Sequence, residues 1–252
     1  MATSPAVNPI SPTLSSGPGT ILSIAVESSS SPILENDILD AQLVFDTAGN
    51  VTDAYTYSPF IDINPDPLTF ASLNNTDGIV SWGQAAGGNY IKTSATNFNM
   101  ARWDYIAGTT PNPSNLANLS GVYNVFASTS PFLVSGGSNT LIGTATPVSG
   151  NFTFSFTLNT FAYNLSIPTT TDTFTLIGAG TSLNASNPNF QSSGIITSTG
   201  LGCLTSGCSG ALQGGKLVQG AFFGSNGERV GLQYGINAPG LNGAIYGGAV
   251  LK

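Results

Sequence analysis

The sequence contains no histidine, and only 7% of its 252 residues are charged, against a usual share of about 25%. Without histidine there can be no Ser-His-Asp or Cys-His catalysis. Nor can the chain build a His-ligated zinc, haem or copper site. Its two cysteines cannot complete a structural zinc site either. Five Lys and Arg stand against twelve Asp and Glu, a net charge of −7. So few cations make no phosphate-binding patch, which excludes nucleic acid as a partner. The negative balance also disfavours anionic membranes. No apolar run approaches the roughly 20 residues of a membrane-spanning helix. Met1-Ala2-Thr3-Ser4 has no basic region and no apolar stretch behind it, so no signal peptide is visible. Low charge and abundant Ser, Thr and Asn are nonetheless typical of exported chains. The expectation is a mature or excised segment with an added Met1, working in an extracellular, cell-surface or periplasmic setting. With so much chemistry removed, the chain is read as a non-enzyme.

What is present is strand-forming. Thr, Val, Ile, Phe and Tyr abound, while Glu, Lys, Arg and Met are scarce. Residues 1–20 carry Pro5, Pro9, Pro12 and Pro18 and read as a flexible tail or linker. Ala41–Asp46 and Val51–Thr56 alternate about the turn Thr47–Asn50, as a hairpin does. Gly78–Gly83 and Asn89–Thr93 are expected to pair through Gly87-Gly88, and Arg102–Ala107 is a third short run. Ser31–Asn36 and Asn112–Leu119 could each hold a turn. From residue 120 the pattern becomes a meander. Val122–Phe126 is followed by a loop from Pro131 to Ser138 and a strand at Leu141–Thr146. Asn151–Leu158 puts Phe152, Phe154, Phe156 and Leu158 on one face. Phe161–Ile167 does the same with Phe161, Tyr163, Leu165 and Ile167, with Asn159-Thr160 as a two-residue connection. Further strands follow at Thr173–Ile177, Gly194–Thr197, Lys216–Phe223, Arg229–Ile236 and Gly243–Leu251. Glycines inside the last three strands (Gly220, Gly231, Gly235, Gly247, Gly248) would weaken a flat sheet but suit the coiling of a closed one. The fold expected is all-β: an antiparallel barrel of about eight strands over 120–252, preceded by a smaller β-rich region over 21–119 that packs on or extends it.

Two stretches carry a family resemblance. Gly220-Ala221-Phe222-Phe223-Gly224-Ser225-Asn226-Gly227-Glu228-Arg229-Val230-Gly231 resembles the G-x-F-x-G-x-x-A-x-x-x-G signature of transferrin-binding-protein-like β-barrels. Gly227 stands where that family usually has Ala. Such barrels occur on bacterial surface lipoproteins and at the C-terminus of certain FecR-domain proteins. In the latter a D-G-x-I-x-W-G element precedes the barrel, and Asp77-Gly78-Ile79-Val80-Ser81-Trp82-Gly83 is similar to it. The resemblance covers residues 40–252. It implies a barrel on the exported side of the inner membrane, used for binding or display through variable loops. No FecR regulatory region and no lipobox cysteine is visible, so signalling and lipid anchoring do not carry over.

Several constellations are candidate sites. Cys203 and Cys208 have four residues between them and glycines around them, which permits a small disulfide loop. Asp62, Asn64 and Asp66 alternate as in the opening of a calcium loop. Pro67 replaces the required Gly and Leu73 the bidentate Glu, so only a looser calcium site or a Pro-stiffened loop is expected, and no other cofactor. Glu35, Asp37 and Asp40 read as a solvated acidic loop. Trp82, Tyr90, Trp103 and Tyr105 suit packing where two sheets meet. The Phe and Tyr faces read as barrel core, or as the lining of an enclosed pocket. Gly224–Gly227 reads as a hairpin turn, and the Asn-x-Ser/Thr triplets as chance products of composition. Two functions follow. One is a binding or display module that meets a protein or small solute through loops such as 128–139 and 181–215. The other is a self-associating subunit of an extracellular filament, layer or matrix.

Overall fold

The computed structural model describes residues 15–27, 34–45, 51–56, 61–64, 75–85, 89–92, 96–203 and 207–252. They form two antiparallel sheets. The first holds β1 (Ser15–Glu27), β2 (Leu34–Phe45), β3 (Val51–Thr56), β4 (Ile61–Asn64), β5 (Asn75–Thr76), β6 (Val80–Ala85), β7 (Asn89–Lys92) and β8 (Thr96–Thr109). A short helix, α1 (Pro113–Leu116), leads to the second. That sheet begins with β9 (Ser120–Ser128), β10 (Phe132–Ser135), β11 (Ser138–Leu141), β12 (Ser149–Ser155), β13 (Thr160–Pro168) and β14 (Thr173–Gly180). It continues through β15 (Asn189–Ser192), β16 (Gly194–Ser198), β17 (Ser209–Gly210), β18 (Val218–Phe223), β19 (Arg229–Ala238) and β20 (Gly243–Leu251).

In the first sheet the order is β1-β2-β3-β4-β7-β8-β6-β5, with β1 also paired to β8. The hairpin of β2 and β3 is present as expected, Ala41 opposite Thr56. The expected pairing of Gly78–Gly83 with Asn89–Thr93 is not made. Both segments pair with β8 instead, β7 along its first third and β6 along its second half. The cause is length: β8 runs for 14 residues, so one strand serves both. Strand β1 begins at Ser15, inside the stretch read as a tail, and residues 1–14 lie outside the described ones. Glu35, Asp37 and Asp40 lie on β2, paired across to β1, and not in a loop. Of the expected turn at Ser31–Asn36, residues 34–36 are strand and the rest falls outside the described residues.

The second sheet is the barrel. Nine strands follow one another in the order β15-β18-β19-β20-β9-β12-β13-β14-β16. The two ends of that path, β15 and β16, are separated by Ser193 alone. They act as one bent strand that pairs β18 with its first half and β14 with its second. The barrel is thereby nearly closed. Its strand-making residues alternate as the sequence requires: Phe161, Tyr163, Leu165 and Ile167 are all buried on β13. Phe152, Phe154 and Phe156 point inward beside them, but Leu158 is exposed. The connection is longer than expected, a turn over residues 156–159 with Asn159 at φ 54°. The stretch Pro131–Ser138 is not a loop. Phe132-Leu133-Val134 pairs with β20, and Gly136-Gly137, both at positive φ, turn the chain into β11. Of Leu141–Thr146, only Leu141 belongs to a strand.

Aromatic rings fill the barrel. Phe152 lies 5.0 Å from Phe190 and 5.7 Å from Phe161, and Phe222 lies 4.9 Å from both Phe154 and Phe156. Each such ring contributes about 1.5–3 kcal/mol by burial. The reading of these faces as core holds; the rings pack on one another. Asn112 caps α1 through its side-chain oxygen. Leu116 of that turn is fully buried with the barrel core.

The outer wall of β18, β19 and β20 is covered by the first sheet. Leu22, Val80 and Ile106 pack there against Ala221, Phe223 and Val250. Trp82 joins them, edge-on to Phe126 at 5.7 Å, as expected for packing between sheets. Trp103 and Tyr105, on the opposite face of β8, stack at 4.7 Å, and the side chain of Tyr90 lies outside the described ones. Here the strand glycines show their use. A Cβ on Gly231 would meet Phe223, Ile106 and Leu22 at 2.7–3.1 Å, and one on Gly248 would press on Ile106 at 3.1 Å. Gly220 and Gly247 lie under the rings of Phe190 and Tyr234. These positions make room for a second sheet and for large rings, a more local demand than general coiling.

Candidate binding surface

The opposite wall of the barrel, from β9 through β12, β13 and β14 to β16, carries no charged side chain. Between Tyr105 and Gly215 the sequence has one charge, Asp172, and it lies at a barrel end. Register sets the rest. Asn124 is opposite Asn151, Asn151 opposite Asn164, Asn164 opposite Ile177, and Ile177 opposite Ile195. The neighbouring row is Val122, Thr153, Ala162 and Ala179. Val122, Ile177 and Ile195 are 56%, 49% and 69% exposed. An open groove of about 490 Å³ lies over this wall, lined by Asn151, Thr153, Asn164, Ile177, Ser193 and Ile195 among others.

The groove sits where the barrel closes. Tyr163 reaches from the interior past Gly178, and its hydroxyl donates to the carbonyl of Ser193 at 3.3 Å. A Cβ at Gly178 would lie 2.2 Å from that oxygen, and one at Gly194 would lie 2.4 Å from the carbonyl of Ile177. Burial raises the Tyr163 phenol above its ordinary value, against a smaller opposing effect of a hydrogen bond with Ser192. The phenol therefore stays neutral. The surface offers amides, hydroxyls and aliphatic carbon, groups that can hydrogen-bond and bury apolar area.

Loop structure at the barrel end is fixed by a carboxylate and a disulfide. Asp172 accepts hydrogen bonds from the backbone N–H of Thr173, Gly200 and Gly202 and from the Thr199 hydroxyl. Burial works to raise its pKa, but these donors outweigh it and hold it below the ordinary range. Cys203 and Cys208 form the expected disulfide. Residues 204–206 between them lie outside the described ones. The 181–215 stretch, expected as a loop, contains β15, β16 and β17.

Of the calcium candidates, Asp62 and Asn64 lie on β4, where Asp62 faces Tyr55 on β3 and Ile91 on β7. Asp66 falls outside the described residues. Among the described residues no group of three or more His, Cys, Asp or Glu could hold a metal ion. Among the described residues no helix is long and apolar enough to cross a membrane. The Asn and Ile ladder was not legible in the sequence. Alternation places Asn151, Asn164 and Ile177 outward, but only register places them side by side.

The two sequence stretches that carry the family resemblance meet at the junction between the sheets. Asp77 caps the N–H groups of Ile79 and Val80 and pairs with Arg229 at 2.5 Å. Gly224 and Gly227, both at positive φ, turn β18 into β19 as expected. Gly227 abuts Leu116 of α1. No family model matches the chain, and no curated protein matches its sequence. Solved structures do match in fold. Intact Ap-TbpB, with its N and C lobes, gives a TM-score of 0.45 at 12% identity, over 92% of this chain and 46% of that one. Isotype 1 transferrin-binding protein B from serogroup B Neisseria meningitidis gives 0.41 at 12% identity, over 92% and 43%. The N-lobe domain of lactoferrin-binding protein B of Moraxella bovis gives 0.39 at 12% identity, over 93% and 98%. This likeness is one of fold. The chain spans less than half the length of the first two.

Proposed function

We propose that this chain is a non-enzymatic, exported binding or display protein whose binding surface is the uncovered barrel wall. The observation that carries this reading is the charge-free ladder ending in Ile177 and Ile195 over an open groove. The barrel interior is occupied by aromatic rings, so a partner is met on the outside. A wall without charge fits an uncharged surface on a partner protein, since desolvation there leaves no unpaired ion. Support for export comes from the disulfide, which persists in oxidising compartments.

A second reading has its own support. In a molecule with net charge −7, a charge-free wall lets two copies meet without like-charge repulsion, which suits a structural subunit. Native mass spectrometry of gently purified protein over a range of concentrations separates the two. A single chain carrying a discrete protein mass, lost at least tenfold in the Ile177→Lys, Ile195→Lys variant, is expected for the binding protein. A ladder of multimers growing with concentration and abolished by the same variant would replace it with the subunit. Identical spectra from both proteins, with neither partner nor multimer, would sink both.

A further inference from the structure

The junction between the first sheet and the barrel contains a buried polar group that neither reading above uses. Asp104, on β8, is fully buried. Its Oδ2 accepts from the Thr129 hydroxyl at 2.7 Å, and Thr129 Oγ1 in turn accepts from the backbone N–H of Gly248 on β20, also at 2.7 Å. Its backbone carbonyl accepts from the amide of Gln233 on β19, which pairs with Gln219 on β18. The residue thus touches the barrel strands against which the first sheet lies. Its other oxygen, Oδ1, has no hydrogen-bond partner, and neither has the buried hydroxyl of Tyr234.

A carboxylate here would be poorly held. Arg102, two residues away on the same face, spends its Nε on Asn139 at 3.4 Å and lies 5.5 Å over the Phe132 ring. The other titratable groups coupled to Asp104 are Tyr105 and Tyr234, neutral phenols raised by burial and by the Asp104 carboxylate. Gln84, Thr129 and Gly248 bring no charge. A protonated carboxyl fits the same place: Thr129 Oγ1 has a lone pair for it and lies 3.4 Å from the Gly248 carbonyl, to which it can donate.

We propose that Asp104 makes the docking of the first sheet on the barrel a proton-held junction, closed when the carboxyl is protonated and loosened as the surroundings turn alkaline. Burial, only partly offset by Thr129, Arg102 and Gln84, carries the group to about 8. The sign follows from linkage. A separated Asp104 would titrate near the ordinary 3.8, so the closed state holds an extra proton between the two values. Closure is strongest below the lower value, weakens as pH rises, and levels off above the upper. The opening equilibrium should rise about tenfold per pH unit across that range. With no histidine in the sequence, no side-chain type present has its ordinary midpoint between pH 5 and 8.

Trp82, one of two tryptophans, packs at this junction and reports on it. The test is the urea midpoint of tryptophan fluorescence and acrylamide quenching from pH 5 to 9, with Trp82→Phe to assign the signal. In the wild type the midpoint should fall steadily to about pH 8 and then level. In Asp104→Asn, which keeps shape without a titrating proton, it should be flat. A flat wild-type profile, or an unchanged slope in Asp104→Asn, would overturn the proposal. Thr129→Val supplies a second arm should Asp104→Asn fail to fold. The Thr129 bond on balance favours the anion, so its loss should move the levelling point to higher pH, and no movement counts against the proposal.

Discussion

A Cβ on Gly231 would lie 2.7 Å from Phe223 and 2.8 Å from Ile106, closer than real Cβ atoms approach, and 3.1 Å from Leu22. Replacing it with Ala should therefore cost about 1–3 kcal/mol, the usual cost of overpacking, read as a drop in urea midpoint at constant slope. Gly136 provides a contrast. Nothing lies within 4 Å of its missing Cβ, and its cost would be set by its φ of 54° alone. Two glycines that look alike in composition thus serve a packing surface and a turn. Such roles are only half legible in sequence. Gly136-Gly137 is a readable hairpin signal, and it predicts the turn that the Pro131–Ser138 loop reading missed. Gly231 is readable as unusual in a strand, but nothing in the local sequence names Ile106, 125 residues earlier, as its neighbour.

At the scale of elements, the strands with clean alternation are the ones the sequence places well. β13 lies where period two puts it, because one face is buried along its whole length, whereas β19 and β20 are buried on both faces and show in the sequence as apolar runs broken by glycine. The first sheet was harder to read. β6 and β7 share a partner, and that arrangement depends on the length of β8, which local alternation does not reveal. The Asp77–Arg229 pair ties the β5–β6 connection to the start of β19. Burial works to raise the Asp77 pKa, yet Arg229 and the capped N–H groups outweigh it, so the group titrates below its ordinary value. Its support is present above that ordinary value and lost as pH falls through the lowered one. Asp77→Asn should accordingly remove an acid-side loss of stability below about pH 4 and leave the alkaline side untouched. Acid denaturation profiles of the two proteins check this. The disulfide acts on a separate element. Closing a six-residue loop is worth about 2 kcal/mol on a chain-entropy argument, so Cys203→Ser with Cys208→Ser should lower stability by about that amount, measured by urea unfolding without reductant.

Across the whole molecule, the two walls of one barrel have opposite characters. The wall of β18, β19 and β20 is lined with Ala221, Phe223, Gly231, Gly248 and Val250 and is hidden. The wall of β12 to β16 is open and uncharged. The hidden wall makes the halves mutually dependent. A fragment starting at residue 110 should bind a hydrophobic dye and aggregate, while the intact chain should do neither; dye fluorescence and light scattering measure the difference.

The place of β20 has a consequence for how the chain is made. It pairs with β9, β10 and β19 and completes the wall on which the first sheet rests. Residues 243–251 follow every one of those partners in the sequence, so synthesis delivers them after all three. Until they arrive, the first sheet can zip its own strands, but its landing surface lacks Gly248 and Val250. A molecule caught at that stage would present an unfinished cylinder with bare strand edges, open to capture by any extended chain nearby. On the proposed export route, folding should thus lean on a holding chaperone until β20 has been delivered.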